Sequence, residues 1–239
     1  MDGQLPLDAG LLEKALRRAH ADGRLDLPLP GSGQTWQRWL ALAELAATDL
    51  NLARLAEAHT DAVAILAELA GPEPDGLWGV WAAEAPGATV QAELTDGGWS
   101  LTGQKAWCSG ALLLDHALIT AREGEQRWLF AVDVKDLAPV PGTWAAVGMA
   151  TSQAVTVRLD RVRATPVGAP GSYLSRPGFW HGGAGVAACW YGGALGAGPL
   201  CRDAAHAQRA ADLPVYVRQS HAERDLAGLG ALASDGATW

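Results

Sequence analysis

The sequence predicts an α+β chain: a helical segment, then a central antiparallel β-barrel or sandwich, then a second helical segment. Two observations carry this. Apolar residues recur at three- and four-residue spacing at both ends, while short alternating runs separated by turn signals fill the middle. The composition agrees, since 49% hydrophobic and 18% charged residues in a chain of 239 supply ample material for a packed core. The zones divide at 1–72, 73–172 and 173–239.

In the first zone Leu11, Leu12, Ala15 and Leu16 fall at one-face helical spacing, as do Trp39, Leu42, Ala43 and Ala46. The LPLPGSGQ run from Leu27 to Gln34 separates these two segments as a Pro/Gly linker. A third helix is predicted from Asp49 to Leu69, ended by Gly71 and Pro72. Abundant Ala and Leu with few β-branched residues favour helix throughout this zone.

The signature changes at Leu77. Thr89–Leu94, Trp99–Leu101, Ala117–Ala121, Trp128–Val132 and Ala154–Leu159 read as strands. Asp96-Gly97-Gly98 and Glu123-Gly124 mark the turns between some of them. After Pro170-Gly171 the chain returns to Ala-rich, helix-compatible sequence from Phe179 to Leu232. Tyr173 to Gly178 reads as a linker that leaves Arg176 exposed.

Charge and cysteine content narrow the function classes. A formal net charge of −8 with no block of Lys or Arg argues against a nucleic-acid surface, which needs clustered cations to neutralise phosphates. Cys108, Cys189 and Cys201 form no CxxC pair, so neither a disulfide framework nor a zinc site is expected. His206 and His221 lack a third ligand at metal spacing. No signal pattern or membrane span is apparent, and a cytoplasmic protein is expected. The many glycines between Gly182 and Gly198 follow no strand and open no βαβ unit, so a dinucleotide loop is rejected.

The most informative stretch is WGVWAAEAPGATVQAELTDGGWSLTGQKAWCSG, from Trp78 to Gly110. It reads as a strand, a Gly/Pro turn with one carboxylate, a hairpin and a second strand. Trp107 and Ser109, two apart on a strand, share a face and could stack on a flat ring and hydrogen-bond to its edge. On spacing alone, core packing is the commoner meaning of such a pair.

The segments AAEAPGA, DGGWSLTGQKAWCSGA, LFAVD, VGMATSQAVTVRLDRV and VGAPG occur in an order that resembles the flavin-binding β-domain of the acyl-CoA dehydrogenase family. The resemblance runs from about Leu77 to Gly171. It implies bound FAD, with Trp107 against the isoalloxazine ring, Ser109 near the N5 edge, and the strand Trp81-Ala82-Ala83 along the pyrimidine edge. Ala83 stands where the family carries a threonine, which removes one hydroxyl contact. Glu84 matches the turn carboxylate of the family and reads equally as a turn or capping residue. His181, at the start of the last helical zone, and Ser152, in the VGMATSQAV segment, are the substrate-binding candidates.

The resemblance also implies α,β-dehydrogenation of an acyl thioester, for which a carboxylate removes a proton as hydride leaves for the flavin. Asp212, one residue off the family spacing after Arg202-Asp203, is the candidate base. The helical bundle reads as shortened. Homo-oligomerisation is a family trait. Two further readings stay open: a reduced-flavin monooxygenase on the same fold, using FMN and needing no carboxylate base, and a non-catalytic flavin-binding or scaffold homologue.

Overall fold

The structure, a computed structural model, describes residues 7–203. Three helices open it: α1 (Leu7–Ala21), α2 (Thr35–Thr48) and α3 (Leu50–Glu68). The α1 face that packs inward carries Leu12, Leu16 and Ala19, whereas Leu11 and Ala15 are exposed. The predicted stripe was thus rotated, because Leu12 and Leu16 also continue to Ala19 at helical spacing and Leu11 does not. The α2 stripe of Trp39, Leu42, Ala43 and Ala46 is buried as expected. At the α2–α3 corner the Asp49 carboxylate accepts hydrogen bonds from the Asn51 and Leu52 amides and caps α3.

Seven strands follow: β1 (Trp78–Trp81), β2 (Val90–Thr95), β3 (Gly98–Cys108), β4 (His116–Glu123), β5 (Gln126–Asp133), β6 (Ala138–Val140) and β7 (Val155–Pro166). Between the barrel and sandwich alternatives the pairing decides for a barrel. Strands β2, β3, β7, β5 and β4 pair in succession, and a parallel Gln91–Arg122 bridge from β2 to β4 closes the ring. Parallel β1 extends β4, and the short β6, absent from the sequence prediction, lies on β7. Both β3 and β7 are far longer than the alternating runs predicted for them, since bulges interrupt their register between Leu101 and Gly103 and between Lys105 and Cys108.

Alternation along β4 explains the layering. Ala117, Ile119 and Ala121 face the barrel interior with Leu101, Val157 and Leu159. Leu118 points the other way, onto Trp78, Leu129 and the Ala62, Ile65 and Leu66 face of α3. Helix α3 is consequently buried on nearly every side, between the barrel, α2 and the last helix.

A short turn of helix, α4 (Ser172–Ser175), leads to α5 (Phe179–Asp203). The glycines of this segment serve helix packing. A Cβ on Gly192 or Gly196 would collide with the carbonyl oxygen of Ala43 or Ala47 on α2, so glycine lets the two backbones touch. Arg176, expected to be exposed, is instead buried. Its guanidinium donates to Asp61 at 3.1 Å and to Glu68 at 2.8 Å, both on α3. Proline and glycine follow it in sequence like a linker, but its partners lie more than 100 positions away.

Candidate functional site

The rim of the barrel where β1 and β3 end gathers the residues singled out by sequence. Trp107 has a left-handed backbone, φ 60°, at the second β3 bulge, and the residue is 54% exposed. A non-glycine residue held in that region costs energy and recurs at ligand sites. Ser109 lies past the end of the strand, in a turn, and its amide donates to the Trp107 carbonyl at 3.0 Å. Simple alternation therefore does not relate the two side chains; the bulge and the turn do. Ser109 is buried and its carbonyl accepts from Trp81 Nε1 at 3.1 Å, which ties β1 to this turn.

Ala82 and Ala83 continue the chain beyond β1, with Ala83 exposed. Behind them runs a relay that sequence reasoning passed over. Lys105 is buried and its ammonium donates to the Thr120 hydroxyl at 2.7 Å and to the Thr120 carbonyl at 3.0 Å. The Thr120 hydroxyl donates in turn to the Ala82 carbonyl at 3.2 Å. Burial pushes the Lys105 ammonium down to about 8. A cation at an inward-facing position of the strand run LTGQKAWC, in phase with Leu101, was the available signal.

Glu84 carries the carboxylate of the adjacent turn. Arg122 donates to it at 3.0 Å and Arg127 pairs with its other oxygen, and these hydrogen bonds hold its carboxyl below the usual range. The two arginines come from β4 and β5, adjacent strands whose pairing sets Arg122 opposite Arg127.

Of the remaining candidates, Ser152 meets the turn of this rim through its backbone, whereas His181 packs against the Pro/Gly linker and α2. Ser152 is buried; its hydroxyl donates to the Met149 carbonyl at 2.8 Å, and its own carbonyl accepts from Gly110 at 2.7 Å. The ring of His181, near the start of α5, faces Gly31 in the Pro/Gly linker, and its carbonyl accepts from Trp39 Nε1 at 3.0 Å. Asp212 falls outside the described residues. Among the described residues no group of three or more His, Cys, Asp or Glu is placed to hold a metal ion. No helix among them is long and apolar enough to cross a membrane.

No protein-family model matches this sequence. No curated protein matches it either. Solved structures do. The HsaA monooxygenase from M. tuberculosis is similar over 97% of this chain and 72% of its own, at 16% identity and a TM-score of 0.63. KijD3, solved with FMN and a dTDP-linked amino keto sugar, is similar over 98% of this chain and 65% of its own, at 18% identity and a TM-score of 0.62. TdsC from Paenibacillus sp. A11-2, solved with FMN and indole, is similar over 70% of this chain and 54% of its own, at 21% identity and a TM-score of 0.50. The class defined here is therefore a fold: the helix–barrel–helix arrangement that this chain shares with these solved structures. The chain spans about two thirds of the length of HsaA and KijD3 and about half that of TdsC.

Proposed function

We propose that this chain is a flavin-dependent oxidoreductase of the monooxygenase kind, with FMN as the flavin bound first and FAD as the alternative. The observation that carries the reading is the exposed Trp107 indole, held out on a left-handed bulge beside the Ala82–Ala83 strand end. A flat ring with hydrogen-bonding edges is what such a rim accommodates: an indole face to stack on and backbone groups to meet its edge. A bound flavin would supply two-electron redox chemistry and, when reduced, reaction with dioxygen.

The chain's own residues then hold and polarise. The Lys105 ammonium, relayed through Thr120 to the Ala82 carbonyl, fixes the strand end and places positive charge behind it. Such a charge favours an electron-rich ring over an oxidised one. Glu84 is occupied by two arginines and is unsuited to proton abstraction at neutral pH. The likeness to HsaA, a monooxygenase, supports oxygenation over acyl thioester dehydrogenation. Acyl-CoA chemistry would have to rest on Asp212.

The test is a visible absorption spectrum of the purified protein titrated with FMN and then FAD, with released flavin quantified after denaturation. Near-stoichiometric uptake and oxygen-dependent reoxidation after chemical reduction are expected. Bleaching by an acyl-CoA under anaerobic conditions would restore the dehydrogenase reading. Absence of uptake of either flavin would leave a scaffold.

A further inference from the structure

The outward face of α5 carries no charge and is left uncovered by the other described residues. Between Arg176 and Arg202 the chain has no Asp, Glu, Lys or Arg. The inward face, with Gly182, Gly185, Ala188, Cys189 and Gly192, is buried against α2 and α3. On the opposite side Trp180, Gly183, Ala187, Trp190, Ala194 and Ala197 are all exposed. Steps of three and four residues put them in one stripe, roughly 26 Å long. Trp180 is 80% exposed and Trp190 53%. Single apolar residues on a surface are ordinary, but a continuous uncharged stripe with two exposed tryptophans marks an interaction surface.

The spacing has a second property. From either end of the stripe the steps run three, four, three, four, three. An antiparallel copy centred between Ala188 and Cys189 therefore lays stripe on stripe. In that register Trp180 faces Ala197 of the second copy, Trp190 faces Ala187, and Gly183 faces Ala194. Every large side chain meets a small one, which lets the surfaces interdigitate. Sliding the copies by about two turns instead puts Trp180 on Trp190 and Gly183 on Ala187. A parallel pair in register sets each tryptophan on its own counterpart.

Charge decides among the occupants. A two-fold axis brings the same patch of both copies together, so a charged side chain near it would meet its like. This stripe has none. An interfacial helix on a membrane needs Lys or Arg beside its apolar face, and α5 has neither ahead of Arg202, in a chain of net charge −8.

We propose that the outward face of α5 binds the same face of a second copy of this chain, antiparallel, with Trp180 against Ala197 and Trp190 against Ala187. The four tryptophans of a pair would bury roughly 400–700 Å². Specific interfaces begin at about 1,200 Å², and the small residues between the indoles, with Val186, supply part of the remainder. The dimer is therefore weak and reversible. It needs no flavin and stands apart from the proposed oxidoreductase activity.

The experiment is sedimentation velocity of the full, flavin-free chain across the micromolar range. A concentration-dependent shift from monomer to dimer is expected. Ala187→Trp sets indole on indole and should raise the dissociation constant roughly tenfold or more. Ala187→Trp combined with Trp190→Ala exchanges large and small and should restore the dimer. Trp190→Glu, which brings like charges together near the axis, should abolish it. Both positions are exposed in the protomer, so dilute samples of these variants should melt with the parent. Trp107→Ala removes a tryptophan of similar exposure from the barrel rim and should leave association unchanged. A parent that stays monomeric, as it would with residues 204–239 or another protein over α5, overturns the proposal. So does a dimer that survives Ala187→Trp or Trp190→Glu, or a double variant that associates no better than Ala187→Trp alone.

Discussion

The Asp61 carboxylate on α3 and the Arg176 guanidinium ahead of α5 meet at 3.1 Å, with the arginine side chain 1% exposed. The pair joins two helical zones that the barrel separates in sequence. Glu68 completes it with a second ion pair to the same guanidinium.

Removing the arginine leaves two carboxylates facing each other in a buried place. Arg176→Ala should lower stability by about 3–5 kcal/mol, read as a shift in the urea midpoint. Adding Asp61→Asn and Glu68→Gln to Arg176→Met should recover part of that loss, because no unpaired charge then remains.

Close backbone contact between α2 and α5 makes a second prediction. Gly192→Val would drive its side chain into the Ala43 carbonyl, and overpacking of this kind costs about 1–3 kcal/mol or more. Gly198→Ala, where a Cβ meets nothing within 4 Å, should cost nothing, both variants being read by thermal melting.

Two buried groups on α3 should bend the pH–stability curve in opposite directions. Burial raises Glu57 from 4.5 to about 7, so between those values the folded chain holds a proton that the unfolded chain has lost, and stability falls as pH rises. His59 is lowered from 6.5 to about 4, chiefly by burial, so across that window the unfolded chain holds the extra proton and stability rises with pH. In denaturant melts from pH 4 to 7, Glu57→Gln should steepen the rise and His59→Gln should leave only the fall.

Lys105 makes a claim about higher pH. Its ammonium is lowered by burial from 10.5 to about 8, so the unfolded chain binds more protons across that window. Between pH 8 and 9, below the range in which the buried Cys108 and Cys189 thiols, pushed up from 9.0 to about 12, act in the opposite direction, stability should therefore climb in the parent protein. The climb should be absent in Lys105→Met. A parent curve that matches Lys105→Met there would mean that the buried ammonium is as well solvated as a free one.

Trp107→Ala tests the rim directly. Loss of one stacking partner is worth about 0.5–1.5 kcal/mol, so FMN affinity should fall up to roughly tenfold in an absorbance titration, with the melt unchanged. Ser109→Ala should weaken binding less, since one hydrogen bond is lost and the backbone turn is kept.

Much of this architecture was legible in the residues. Helical periodicity located α2 and α3, and turn chemistry located the hairpins, because both are local rules of backbone geometry. The α1 face was misread for want of one more helical turn of pattern. The site was legible only as a short run around Trp107, whose exposure depends on a bulge that no alternation rule describes.

Local sequence was enough for the order of helix, strand and helix, the strand-rich centre and the candidate rim, since these depend on neighbours a few residues apart. Tertiary structure alone decided that the sheet closes, that Arg176 is buried against Asp61, that the α5 glycines meet α2, and that Lys105 lies behind Ala82. Each of those facts pairs groups far apart in the chain. Their physical cause is the burial of charge and the contact of backbones, neither of which has a local signature.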